Sequence, residues 1–196
     1  LITAITFKNH GCCGHIFAAL DGLAALRAEA GFAPDDVARI AVGGYGPTKE
    51  MCDRPDARSE QEARFSVQYC AAALLHLGGV RIAAFAPERL EDPAIRALMA
   101  RVEVTLDAEL ADAYPARRAA RVAVTLRDGR RLEHFQPTRK GDPDQPLSDA
   151  ELSAKFQELA GPAIGAAAAK ALLDALWLGD ALPGAVALRA AAMAPA

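Results

Sequence analysis

Asp128-Gly129 separates two short strand-like runs, residues 121–126 and 130–135. This dipeptide favours the tight two-residue turn in which positive φ is required and the backbone twist matches that of paired strands, so the two runs are expected to pair antiparallel. Any architecture assigned to the chain has to contain this hairpin. Upstream, strand and helix signals come in turn. Residues 2–7 (ITAITF) read as a strand and run directly into a polar cluster, KNHGCCGH, in a strand-to-helix loop. Ile16, Ala19, Leu20, Leu23, Ala24 and Leu26 then recur at helical spacing until Gly31, just ahead of Pro34.

Residues 37–42 form a second strand candidate, and residues 43–58, rich in Gly and Pro, read as a long loop. Ser59 and Glu62 form an S-x-x-E capping box ahead of one helix carrying Phe65, Val67, Tyr69, Ala72 and Leu75 and ending at Gly78-Gly79. Asp92-Pro93 starts a short helix through Leu98, and residues 102–106 alternate as a strand. Beyond Pro137 the chain turns polar, and a second capping box, Ser148 with Glu151, opens a helix through Leu159, after which two more alanine-rich helices are expected. The pattern argues for an α+β layer with a mixed or antiparallel sheet and packed helices, followed by an all-helical tail. The tail's surplus of small apolar residues suits packing on something larger.

Hydrophobic residues make up 52% and charged residues 24% of the 196, a balance that folds rather than stays disordered. A net charge of -3 provides no global positive field for a nucleic-acid backbone. No apolar run is long enough to span a bilayer, since Lys170 and Asp174 interrupt the alanine-rich stretch and Arg189 interrupts the last segment. Neither nucleic acid nor membrane is therefore expected as a partner. Four cysteines, two of them adjacent at Cys12 and Cys13, do not make a disulfide framework, which predicts a reducing, cytoplasmic setting. The chain opens on Leu1 inside a strand-like run, so a preceding segment is expected on the same polypeptide or on a partner chain.

The densest chemistry lies in Lys8, His10, Cys12, Cys13 and His15, an ammonium, two imidazoles and two thiols at the mouth of a helix. A helix N-terminus favours anions and lowers thiol pKa, so the cluster could bind a carboxylate and hold a proton donor or acceptor. Burial of the two cysteines as small hydrophobes, with His10 bonded inside the loop, is the plainer alternative. Zinc competes less well, because Cys12-x-x-His15 lacks a second ligand pair of similar spacing; Cys52 and Cys70 stand singly. His76 and His134 read as structural. Basic residues gather again as Lys49, Arg54 and Arg58, and as Arg139 with Lys140, where guanidinium groups could clamp carboxylates unless they are merely solvated. GGYGPTK lacks the spacing of a phosphate cradle, so nucleotide binding is disfavoured.

Three segments, KNHGCCGHIFAALDGLAAL, RPDARSEQEARFSVQYCAAALLHLGGV and LRDGRRLEHFQPTRKGDPDQPLSDAELSAKF, resemble in order and spacing the MmgE/PrpD family. The resemblance implies a lid-type α+β domain over residues 1–147 and C-terminal helices over 148–196 that return to a helical domain, in the same protein or a partner chain. It implies a lyase of the 2-methylcitrate dehydratase kind, linked to propionate metabolism, needing no metal or organic cofactor, acting on a small polycarboxylate and forming a homo-oligomer such as a dimer. Decarboxylase and epimerase activities also occur in the family, and a non-catalytic binding or assembly module is the alternative from another class. Isolated, a lid alone would be inactive, because the family's site lies between the helical domain and the lid.

Carried over, Lys8 would neutralise a substrate carboxylate, and either Cys13 or His15 would transfer the proton. Cys13 stands where some members have a histidine, and Phe17 where many have another. His10, Arg54 and Lys140 would bind substrate. Met51 stands in the region where decarboxylase-like members carry a tyrosine, which speaks against cis-aconitate decarboxylation specifically.

Overall fold

The computed structural model describes residues 5–178 and divides the chain into two compact units, Leu1–Pro146 and Leu147–Ala196. The first is built on a four-stranded mixed sheet, β1 (Val37–Gly44), β2 (Val102–Leu106), β3 (Ala120–Leu126) and β4 (Arg131–Gln136), in the spatial order β2-β1-β3-β4. β1 runs parallel to β2, with Gly44 opposite Leu106, and antiparallel to β3, with Gly43 opposite Arg121. The β3–β4 hairpin forms as expected, with Ala120 opposite Gln136 and Gly129 at φ 91° in its turn. Alternate residues of β3 (Ala120, Val122, Val124 and Leu126) are buried, so one face of the sheet carries the core.

That face is covered by α1 (Phe17–Ala30), which packs on β3 and β4, and by α4 (Val67–Leu77), which packs on α1 and β2. Phe17, Leu20, Leu23, Tyr69 and Leu75 are buried in the common core. The parallel β1–β2 pairing needs a long crossover, and α2 (Gly46–Cys52), α3 (Glu60–Ala63), α4, α5 (Pro87–Leu90) and α6 (Pro93–Met99) supply it. Between β2 and β3 lies α7 (Ala108–Ala113), capped by Asp107, whose carboxylate accepts from the Leu110 amide at 3.2 Å.

Three expectations are corrected. Ile5–Phe7 of the first strand candidate lie outside the sheet, and the rest of that run is outside the described residues. The Phe7 amide donates instead to the Gly141 carbonyl at 2.9 Å. At Gly141, φ is 100° and a Cβ would fall 1.9 Å from the Phe7 oxygen, so the close approach depends on glycine. Residues 43–58 are not all loop, because Gly46–Cys52 is helical; Pro47 sits in the first turn, where its missing N–H costs no helical bond. The single helix expected after Ser59 is two. Ser59 caps α3, and a second cap, the fully buried Ser66, starts α4 by accepting from the Tyr69 amide at 3.0 Å.

The second unit holds α8 (Asp149–Ile164) and α9 (Ala166–Trp177). The Ser148–Glu151 capping box forms, but α8 runs beyond Leu159 with Pro162 in its last turn. Trp177 Nε1 donates to Ser153 Oγ at 2.9 Å and ties the two helices together. The further alanine-rich helix lies outside the described residues. Among those described, no helix is long and apolar enough to cross a membrane.

Candidate active site

The register places Gly44, Leu106, Ala120 and Gln136 at one end of the sheet. The segments leaving or entering there meet the loop before α1. Loop residues 9–16 are held by backbone bonds, Gly11 to Val80 at 2.7 Å and Cys13 to Arg64 at 2.8 Å, and by the Arg64 guanidinium on the Gly11 carbonyl. His15 therefore sits on a fixed backbone.

Its imidazole meets the residue directly after β1. His15 Nδ1 lies 2.9 Å from the Tyr45 hydroxyl, and the two rings meet edge to face. Tyr45 is buried and stacks on Tyr114, at the end of α7, with ring centroids 4.7 Å apart; Leu110 and Ala119 complete this small apolar cluster. One turn into α2, Thr48 Oγ1 donates to the His15 carbonyl at 3.0 Å. A short helix absent from the sequence reading thus fixes both the ring and the backbone of His15.

Burial lowers the His15 pKa first, and the positive charges of Arg118 and Arg139 lower it further, so the neutral ring is favoured. Burial pushes Tyr45 up to about 12 and keeps its hydroxyl protonated. Two tautomers satisfy the His15–Tyr45 contact. With Tyr45 donating, Nε2 carries the proton and is a hydrogen-bond donor; with Nδ1 donating, Nε2 has a free lone pair and is a base. Nε2 has no hydrogen-bond partner among the described residues.

Next to His15, Cys13 is half-buried and lies against Cys52 at the end of α2. A hydrogen bond from the Cys52 thiol lowers the Cys13 pKa most; burial opposes it, and the His15 amide and the charge of exposed Lys8 add to it, leaving the thiol at about 6. The same contact and burial push the Cys52 thiol up. Cys12 is buried beside Cys70, whose thiol burial drives well up and which donates to the Ala63 carbonyl at 3.3 Å. Among the described residues, no three His, Cys, Asp or Glu side chains converge as metal ligands.

The other residues singled out from the sequence are dispersed. His10 is 9% exposed, with Nε2 at 3.2 Å from Asp21 and its ring edge-on to Phe17, so it braces α1 from within. The Lys140 amide donates to the second oxygen of Asp21 at 2.8 Å, so Asp21 joins both loops. Arg54 is exposed, donates through Nε to the Met51 carbonyl at 3.1 Å, and lines an open cavity of 510 Å³ with Asp56, Gln61 and Phe65. Arg139, noted only as a basic loop residue, is 5% exposed and clamps Asp142 through two bonds, at 2.8 and 2.6 Å. It also reaches the Gly14 carbonyl at 3.3 Å and Thr6 Oγ1 at 3.2 Å. Burial opposes the Asp142 charge, but the bonds from Arg139 and Thr6 prevail and hold its pKa below the ordinary carboxylate value.

Sequence reasoning missed Tyr45, Tyr114 and Arg118. The available signal was slight: a tyrosine at a strand-to-helix junction (GGYGP), and a tyrosine and two arginines around a proline (AYPARR).

A neutral, braced imidazole beside a low-pKa thiol, under cationic side chains, is equipped for proton transfer at an anionic substrate. Residues 10–178 match the model of the MmgE/PrpD C-terminal domain. The chain belongs to the MmgE/PrpD family. Among similar proteins is cis-aconitate decarboxylase of Homo sapiens, 31% identical over 132 residues, which are 67% of this chain and 27% of that protein. The protein of the same name from Mus musculus is 29% identical over 126 residues, 64% of this chain and 25% of its own length. The chain thus spans about a quarter of the curated relatives it matches. Within this MmgE/PrpD unit, the cluster of His15, Cys13 and Tyr45 lies inside the matched residues.

Proposed function

We propose that this chain forms the C-terminal part of a lyase acting on a small polycarboxylate, with His15 transferring a proton at a carbon next to a carboxylate. The observation that carries this reading is the neutral His15 ring, braced by Tyr45 and flanked by Arg118 and Arg139. A carbon beside a carboxylate becomes electron-rich when a proton leaves it or when carbon dioxide departs. Placed cations stabilise that charge, and a neutral imidazole accepts the proton, the imidazolium so formed being able to return one. Lys8, exposed beside Cys13, suits a carboxylate contact, and the Cys13 thiolate is a second group able to accept a proton.

The decarboxylase names of the relatives support assaying cis-aconitate first, with 2-methylcitrate dehydration tested alongside. A remaining helical part, on the same polypeptide or a partner, completes the site in this reading, and α8 and α9 pack against it. The test uses the full-length enzyme with cis-aconitate, 2-methylcitrate and citrate. His15→Ala is expected to lower kcat/KM about 100-fold or more, and Lys8→Ala to raise KM. Unchanged kcat/KM in His15→Ala removes the residue from the mechanism. No turnover of any of the three by the full-length protein favours a binding or assembly module.

A further inference from the structure

An open cavity of 370 Å³ lies between the segment after α7, Pro115 to Arg118, and the segment after β4, Pro137 to Asp144, and its wall residue Arg139 reaches the Gly14 carbonyl, next to His15, at 3.3 Å. Both segments leave the sheet end that carries Tyr45. The acids in its wall are engaged: Asp142 is clamped by Arg139, and Asp144 Oδ1 accepts from Thr138 Oγ1 at 2.9 Å. Arg139 is saturated in turn by Asp142, Gly14 and Thr6. Arg118 differs. It is half-buried and makes no hydrogen bond or ion pair among the described residues, yet its charge acts on both His15 and Tyr45. A partly desolvated guanidinium with no counter-ion among the described residues, in the wall of a cavity, leaves a planar two-pronged donor set open to an oxyanion.

We propose that Arg118 binds a carboxylate of the substrate and thereby positions the adjacent carbon at His15. Arg139, locked to Asp142, sets the shape of the cavity wall and is not the anchor. This inference rests on the lyase reading for the identity of the substrate. The anion site itself rests only on the geometry of Arg118 and the cavity.

The test takes the full-length enzyme with Arg118→Ala and Arg118→Lys, each checked for an unchanged thermal transition. The measurements are kinetics with whichever polycarboxylate is turned over, and calorimetric binding of the unreactive tricarboxylate tricarballylate, with inorganic phosphate for comparison. Arg118→Ala is expected to lower kcat/KM at least tenfold, with KM raised. It should also weaken tricarballylate binding at least tenfold, with Arg118→Lys recovering part of the loss because a single ammonium replaces a fork. If the wild type turns over a polycarboxylate and Arg118→Ala leaves kcat/KM and tricarballylate binding unchanged, the Arg118 inference falls and the lyase reading stands. If the wild type turns over none of the substrates yet binds tricarballylate through Arg118, the anion site stands and the lyase reading falls. Binding of phosphate more tightly than tricarballylate overturns the assignment to carboxylate. If an Arg118 variant alters the thermal transition, tricarballylate protection of wild-type Arg118 from phenylglyoxal decides instead: protection supports the site and its absence overturns it.

Discussion

Cys13, with a pKa of about 6, is a thiolate at neutral pH, whereas an ordinary cysteine is then mostly protonated. Its alkylation by iodoacetamide should therefore rise with pH around a midpoint near 6. Cys52→Ala removes the largest contribution to that lowering and should move the midpoint upward, towards the ordinary thiol value. Mass spectrometry of the labelled peptide checks both; a midpoint that ignores the substitution would show that Cys52 does not set it. His15 titrates in the same direction for different reasons, burial and two arginines. Its neutral form should persist below the ordinary imidazole value, so the acid limb of kcat/KM falls below about pH 6.5. Replacing Arg118 by Ala should move that limb up. The KNHGCCGH cluster was legible because its chemistry is packed into consecutive positions. Tyr45 and Arg118 were not, since neither carries a local signal and both acquire meaning only where distant segments converge.

Short helices decide how this site is built, and short helices are what periodicity reads worst. α2 has seven residues and starts Gly-Pro, so its composition reads as loop; its role is to place Thr48 and Cys52 one turn apart, both buried against the loop that carries His15. α7, with six residues, went unread for the same reason. Capping residues behave differently, because the signal and the structure are both local: Ser59–Glu62 and Ser148–Glu151 form as their spacing predicts. The Ser66 cap was hidden inside an apparently continuous helix. It is fully buried and also donates to the Arg54 carbonyl at 2.7 Å, so Ser66→Ala should cost about 1–2 kcal/mol of stability. Exposed Ser59→Ala should cost less, and urea denaturation of the two variants gives the comparison.

At the scale of the molecule, the α+β class and the hairpin were legible because they depend on neighbouring residues. The strand order was not, because the parallel β1–β2 pairing joins segments separated by the whole crossover. The two units also differ in how much they bury. α4 buries nine of its eleven residues, whereas α8 has no buried residue and α9 has two, Ala169 and Leu173. Hydrogen exchange of this chain should accordingly find the α4 and β3 amides among the slowest and those of α8 exchanging far faster. Equal protection of α4 and α8 would contradict this. The Asp128-Gly129 turn, finally, sits at the opposite end of the sheet from His15, Tyr45 and Arg118. A fluorophore or short affinity tag inserted there would report on the protein without touching its chemistry, a ready handle for following the binding of ligands at the site.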